Sequence, residues 1–208
     1  MTPRFVCIDT ETTGLGNDAR ILEIGMVFSE DGMIVDSWSQ RFNPKEVDWE
    51  SSSVQGALAV NRIDPASLVG CPDFADAVEV VDLFLSRYKV WVGHNLSYDL
   101  RMLTNEFTRA GRSMSTKSSA FTVCTKELAR YFDTLDCTKN SHKLNVTADR
   151  FGVKIANAHT AVGDATATAE ILLKMVEGRR LPLKISSIFA KLSKEEAQMC
   201  ACLADASV

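Results

Sequence analysis

Arg4-Phe5-Val6-Cys7-Ile8-Asp9-Thr10-Glu11-Thr12-Thr13-Gly14-Leu15 begins as an apolar, β-branched run and ends in two acids and a glycine turn. Such a run predicts a strand over residues 4–10 with the acids at its C-terminal end. Side chains alternate across a strand, so Asp9 and Glu11 face the same way, roughly 7 Å apart along it. Like charges that close repel, and a hard divalent cation between them is the simplest remedy. Taken alone, the pair fits a solvated strand end equally well, since acids at strand ends are common.

Two further phrases bear on that choice. Val90-Trp91-Val92-Gly93-His94-Asn95-Leu96-Ser97-Tyr98-Asp99-Leu100-Arg101-Met102-Leu103 predicts a short strand at 89–93, a Gly-His-Asn turn, and an amphipathic helix over 97–110 with Ser97 as N-cap. Asp99 then lies in the first helical turn, where the helix dipole and free N–H groups favour an acid on structural grounds alone. Those grounds do not explain a third carboxylate at the C-terminal end of a strand, the edge where open α/β sheets bind ligands. His159-Thr160-Ala161-Val162-Gly163-Asp164-Ala165 leads into a helix predicted over 160–177. Five residues of helix would turn His159 about 140° away from Asp164. The two share a site only if His159 lies in the loop or first turn before the helix, where Ala156-Asn157-Ala158 puts it. A lone histidine there is more often a surface or capping imidazole; one joined to Asp9, Glu11, Asp99 and Asp164 reads as part of a phosphodiester-cleaving metal site.

The phrases Asp9-Thr-Glu11-Thr-Thr-Gly-Leu, Gly93-His-Asn-Leu-Ser-Tyr-Asp99 and His159-x-x-x-x-Asp164-Ala, in that order and spacing, resemble the DEDDh branch of the 3′-to-5′ exonuclease superfamily. The proofreading (epsilon) subunit of bacterial DNA polymerase III belongs to it. With Val123-Cys-Thr and His142-Lys-Leu between them, the resemblance spans about residues 4–178. It implies a ribonuclease-H-like fold and two divalent ions, Mg²⁺ or Mn²⁺. Asp9, Glu11 and Asp164 hold the first, Asp9 bridges to the second, and Asp99 reaches the second, often through water. Two such ions can stabilise the attacking and leaving oxygens of an in-line displacement. His159 is implied as general base, a task suited to an imidazole near its reference pKa of about 6.5.

By the same resemblance, backbone around Glu11 and Thr12 meets the terminal 3′-OH, Leu15 wedges against the last base, and Asn95 helps order the site. Leu15 as a turn-packing residue, and His94 and Asn95 as turn-formers, are the plain structural readings. Tyr98 stands where phenylalanine is usual, a change expected to affect only packing. The segment Val60-Asn-Arg-Ile-Asp-Pro65 lacks the His-Gly often found in the family, which leaves substrate contacts from this loop open. The implied activity is release of nucleoside monophosphates from 3′ ends of single-stranded or frayed DNA. Trimming of RNA ends is the alternative, and a silent binding module is the third reading, against which all five site residues weigh. A DNA polymerase subunit is the partner the family suggests.

Around these motifs the pattern predicts strands at 21–29, 33–42 and 120–124, and helices at 74–87, 125–132 and 144–151, with a variable segment at 43–72. Glu30-Asp31-Gly32 is a hairpin signal, so the expected class is α/β with a mixed five-stranded sheet flanked by helices. At 208 residues and 46% hydrophobic content, one core is expected. Residues 1–178 read as the exonuclease domain. Residues 179–208 read as a C-terminal helical extension packed on the domain or on a partner, with a capping box at Ser193-Lys-Glu-Glu196 and a helix over 194–204.

The net charge of -4 is unevenly placed: residues 1–111 hold 9 basic and 17 acidic side chains, residues 112–194 hold 14 and 7. Arg112, Lys117, Lys126, Arg130, Lys139, Lys143, Arg150 and Lys154 could approach phosphates or simply be solvated. An acidic whole argues against tight nonspecific duplex binding. A short single-stranded end needs fewer contacts, with base stacking expected on Tyr98 or Phe107. Cys7, Cys71, Cys124, Cys137, Cys200 and Cys202 form no C-x-x-C pair and read as reduced thiols. A first strand so close to Met1, and no apolar run of membrane length, suggest a cytoplasmic protein without a membrane partner.

Overall fold

The apolar run that opens the sequence becomes the central strand of the sheet because both of its faces are covered. In the computed structural model, which describes residues 4–135, 141–178, 181, 185–186, 188–189 and 191–192, the strands are β1 (Phe5–Thr12), β2 (Ile21–Glu30), β3 (Met33–Arg41), β4 (Val90–Gly93) and β5 (Phe121–Cys124). They form one mixed sheet in the order β3-β2-β1-β4-β5. The β1–β2 and β2–β3 pairs are antiparallel, the second joined by the tight Asp31-Gly32 turn with its two positive φ angles. The β1–β4 and β4–β5 pairs are parallel. Strand β1 therefore marks the change of direction in the sheet, and its C-terminal end lies at the switch point where such sheets place ligands.

Alternation along β1 divides the core in two. Phe5 and Cys7, with Val90, Val92 and Val123, pack under helices α4 (Thr125–Leu135), α5 (Leu144–Arg150) and α6 (Ala161–Gly178). Val6 and Ile8, with Trp91, pack under α2 (Phe74–Ser86) and α3 (Leu96–Arg109). Leu181, Phe189 and Leu192, beyond the last of these helices, are buried in the first of the two clusters. The expected helix over 194–204 and its capping box lie outside the described residues, as do Cys137, Cys200, Cys202 and Lys139.

The segment 43–72, read as variable from sequence, carries α1 (Ser52–Asn61) and a short 3₁₀ turn, Pro65–Leu68, capped by Asp64. Its third small core explains why: Val54, Leu58, Ile63 and Leu68 close over Leu22 of β2. Gly56 and the sparse apolar pattern hid the helix, whose stability comes from this contact rather than from intrinsic propensity. Among the described residues, no helix is long and apolar enough to cross a membrane.

Candidate active site

Asp9 and Glu11 point from β1 toward α6, on the face that Phe5 and Cys7 share. Helix α6 brings Asp164 to them in its first turn. One carboxylate oxygen from each of Asp9, Glu11 and Asp164 lies within 4.8 Å of the other two, and no other such group occurs among the described residues. Thr10, between the two acids, turns to the opposite face, where its Oγ1 donates to Asp99 Oδ1 at 2.8 Å. Asp99, on α3, is thereby held at the sheet end from the other side and stands outside the triplet. Its helix begins one residue earlier than predicted, and its N-cap lies two residues earlier. Asn95, at φ 79°, is the N-cap, Ser97 is inside the helix, and the Tyr98 N–H bonds to Asn95 O at 2.9 Å.

The electrostatics follow from that crowding. Burial, then the charges of Asp99, Glu11, Asp164 and Glu23, hold Asp9 well above the ordinary carboxylate range. Glu11 is pushed up to about 8, by burial first and then by Asp164, Glu23 and Asp99. Asp99 is raised to about 7 by burial, against the hydrogen bond from Thr10. Asp164 is raised by burial as well, while the His159 backbone N–H and imidazole pull it back. A set of acids that resists ionisation together, with converging oxygens, has the chemistry of a hard divalent-cation site. Glu11, Asp9 and Asp164 are the residues that would hold such an ion.

His159 lies in the turn before α6, exposed, with φ 67°. A non-glycine residue there is unusual, and the conformation places both the ring and the backbone N–H of His159 beside Asp164. Gly163 makes the turn possible, because a Cβ there would overlap the backbone carbonyls of Asn157 and Ala156.

Beside the acids opens a cleft of about 640 Å³ whose walls include Leu15, Val60, Gly56 and Ala57, with Thr12 and Tyr98 below. Leu15 is 80% exposed and Val60 63%, so both apolar side chains face open space. Helix α1, unseen in the sequence, supplies one wall, and Asn61 ties it to β1 by donating from Nδ2 to Thr12 O at 3.1 Å. The Tyr98 hydroxyl does more than pack: it donates to Gly14 O at 2.8 Å and meets Thr12 Oγ1, bracing the turn that presents Leu15. Phe107 cannot stack on a base. It is buried at 2% exposure against Phe74.

His94 and Asn95 also reach further than a turn needs. His94 Nε2 donates to His142 O at 2.9 Å and Nδ1 meets Thr125 Oγ1 at 2.9 Å, while burial lowers the ring's pKa. Asn95 is exposed and its Oδ1 accepts from Lys126 Nζ at 3.3 Å. Part of the basic middle block is committed to ion pairs: Arg150 with the buried Asp133, Arg130 with Glu127, and Arg112 with Glu79. Glu23, absent from the sequence-based site, is 4% exposed and accepts the Ala161 N–H at the start of α6. Its only sequence signal is an acid in the middle of an apolar strand, Ile21-Leu-Glu-Ile-Gly-Met-Val-Phe.

The RNase_T exonuclease family model matches residues 6–172. DNA polymerase III PolC-type from Staphylococcus aureus is 31% identical over 202 residues, covering 93% of this chain and 13% of the polymerase. The chain thus spans a small part of the length of the curated relatives it matches. Among solved structures, Exonuclease X in complex with 5′ overhanging duplex DNA aligns with a TM-score of 0.62 and 25% identity, over 84% of this chain and 92% of that one. E. coli Exonuclease I in complex with a dT13 oligonucleotide shares the fold at a TM-score of 0.71 and 18% identity, over 85% and 41%. The mixed five-stranded sheet flanked by helices is the ribonuclease-H-like arrangement of these nucleases.

Proposed function

This chain belongs to the exonuclease family, and on that premise we propose that it removes nucleotides one at a time from the 3′ ends of single-stranded or frayed DNA, by divalent-metal-dependent hydrolysis. The observation that carries the reading is the convergence of Asp9, Glu11 and Asp164 oxygens within 4.8 Å, at the mouth of a cleft walled by exposed apolar side chains.

Two Mg²⁺ or Mn²⁺ ions, when bound, supply charge neutralisation and Lewis-acid stabilisation for in-line attack on the last phosphodiester. Asp9, Glu11 and Asp164 give them oxygen ligands, and Asp99 adds its carboxylate from the far side of the strand end. His159, exposed and beside Asp164, takes the proton of the attacking water as general base. Leu15 and Val60 hold the terminal base between them, and the Thr12 backbone faces the 3′-OH, in a turn braced by Tyr98 and Asn61. Asn95, at the start of α3 and tied to Lys126, brings a cation toward the approaching strand.

Residues 1–178 form the nuclease unit in this reading. The rest is an extension, and the burial of Leu181, Phe189 and Leu192 supports its packing on the unit itself. Similarity to a segment of a replicative polymerase supports a DNA polymerase as the partner. The test is incubation of the protein and its Asp9→Ala variant with 5′-labelled DNA and RNA of equal sequence, in Mg²⁺, Mn²⁺ or EDTA. We expect a ladder shortening from the 3′ end of DNA, lost in EDTA and in the variant. Shortening of RNA alone would replace the substrate class, and no shortening of either would overturn the reading.

A further inference from the structure

We infer that Glu23, with Gly25 and Arg41, forms a seat that fixes where Asp164 and His159 stand relative to Asp9 and Glu11, making Glu23 a positioning residue for the metal site. The inference rests on the metal-dependent reading above. Strand β2 pairs with β1 so that Glu23 lies directly opposite Glu11 and Gly25 directly opposite Asp9. Both β2 residues face α6, as both β1 acids do. Glu23 Oε1 accepts the Ala161 N–H at 3.1 Å, one of the free donors at the start of α6. Two further N-terminal donors are met locally: Gly163 N by Thr160 Oγ1 at 3.2 Å and Asp164 N by Thr160 O at 3.0 Å. Glu23 therefore makes the long-range hydrogen bond that anchors the first turn of α6 to the sheet.

Gly25 supplies the close approach. A Cβ at this position would overlap Ala161 C and Val162 N, so the helix backbone rests directly on the strand. Arg41, on edge strand β3, pairs Nε with Glu23 Oε2 at 2.8 Å and compensates a charge that is otherwise buried among acids. A glutamate that only filled space here would be costly, since its charge adds to the repulsion at Asp9 and Glu11. Its two oxygens are each committed, one to the helix that carries Asp164 and one to the neutralising cation.

The test measures Mn²⁺ binding to the metal-free protein by electron paramagnetic resonance, beside kcat and KM on a single-stranded oligonucleotide. Glu23→Ala should weaken Mn²⁺ by about 10–100-fold, the usual effect of removing a group that orients a metal ligand. Glu23→Gln keeps an oxygen acceptor for Ala161 N–H and should stay within about threefold of wild type. KM for the oligonucleotide should hardly move in either. Glu23→Met, which fills the volume but accepts no hydrogen bond, replaces Glu23→Ala if circular dichroism shows the latter unfolded. Unchanged Mn²⁺ affinity in Glu23→Ala or Glu23→Met overturns the inference. Equal losses in Glu23→Gln and Glu23→Ala also overturn it, because charge and not position would then be at work. A wild-type protein that binds no Mn²⁺ overturns the metal reading itself.

Discussion

Removing metal should make this protein lose stability as the pH rises through neutrality, the reverse of ordinary acid denaturation. Glu11 keeps its proton to about pH 8 and Asp99 to about pH 7 when the site holds no cation. Their unfolded counterparts release it at the ordinary values of 4.5 and 3.8. Between those limits the folded state binds more protons than the unfolded, so stability is greatest on the acid side and falls with pH. From pH 5.5 to 7.5 the Glu11 proton, held almost throughout, costs about 2.5 kcal/mol and the Asp99 proton, released near pH 7, about 2 kcal/mol, together about 4 kcal/mol. Water reaching the half-buried Glu11 screens part of the repulsion, which leaves an expected loss of about 2–3 kcal/mol. For a chain of this length that is a fall in Tm of roughly 5–10 °C. Thermal unfolding followed by circular dichroism, in EDTA and in excess Mn²⁺, measures it. Mn²⁺ should flatten the slope, and at about 100 times its Kd it should restore about 2.7 kcal/mol at the alkaline end. A Tm in EDTA that stays level or rises over this range would refute the reasoning. So would a Glu11→Gln variant that keeps the wild-type slope.

Asp164→Ala should lower kcat on the order of 10³-fold with an unchanged circular dichroism spectrum, since it removes one of the three converging carboxylates from a half-exposed position. His159→Ala should lose about 10²–10⁴ of the rate, the range for a general base, while Mn²⁺ and strand affinity measured by fluorescence anisotropy stay near wild type. Tyr98→Phe deletes the hydroxyl that donates to Gly14 O, and should cost about 1 kcal/mol of stability and raise KM. Leu15→Ala is the converse case: at 80% exposure its truncation should change stability by no more than about 0.5 kcal/mol in thermal unfolding, yet raise KM for a 3′ end.

The sequence made legible what local patterns encode. Three phrases each carried an acid or histidine at a strand end or helix start, and period-2 alternation alone put Asp9 and Glu11 on one face. Ten of the predicted strand and helix positions correspond to observed elements, with small shifts at their ends. What stayed hidden depends on partners distant along the chain. Helix α1 has no amphipathic stripe of its own and is held by Leu22, about thirty residues earlier. Tyr98 looked like a packing substitution because its hydroxyl partners, Gly14 and Thr12, lie more than eighty residues away. Phe107 looked available to a base because helical periodicity does not say which apolar face a neighbouring helix will cover. Asn95, and not Ser97, caps α3 because the turn from β4 leaves the strand in a left-handed conformation before the helix starts.

The same reasoning explains why the cleft's rigidity and the acids' discomfort belong together. A flexible strand end would relieve the repulsion among Asp9, Glu11 and Asp164 by moving them apart, and the cation site would be lost. Here β1 is locked between β2 and β4, Asp99 is pinned by Thr10, and α6 is seated on Glu23 and Gly25. None of the acids can move away cheaply, so the repulsion persists as raised pKa values until a cation arrives. The backbone hydrogen bonds and close packing that keep the acids together cost stability in the metal-free state and, for the same reason, reduce the reorganisation that metal binding requires. The two large cores on either side of the sheet, each anchored by fully buried side chains such as Phe5 and Trp91, supply the stability that lets the fold tolerate that cost.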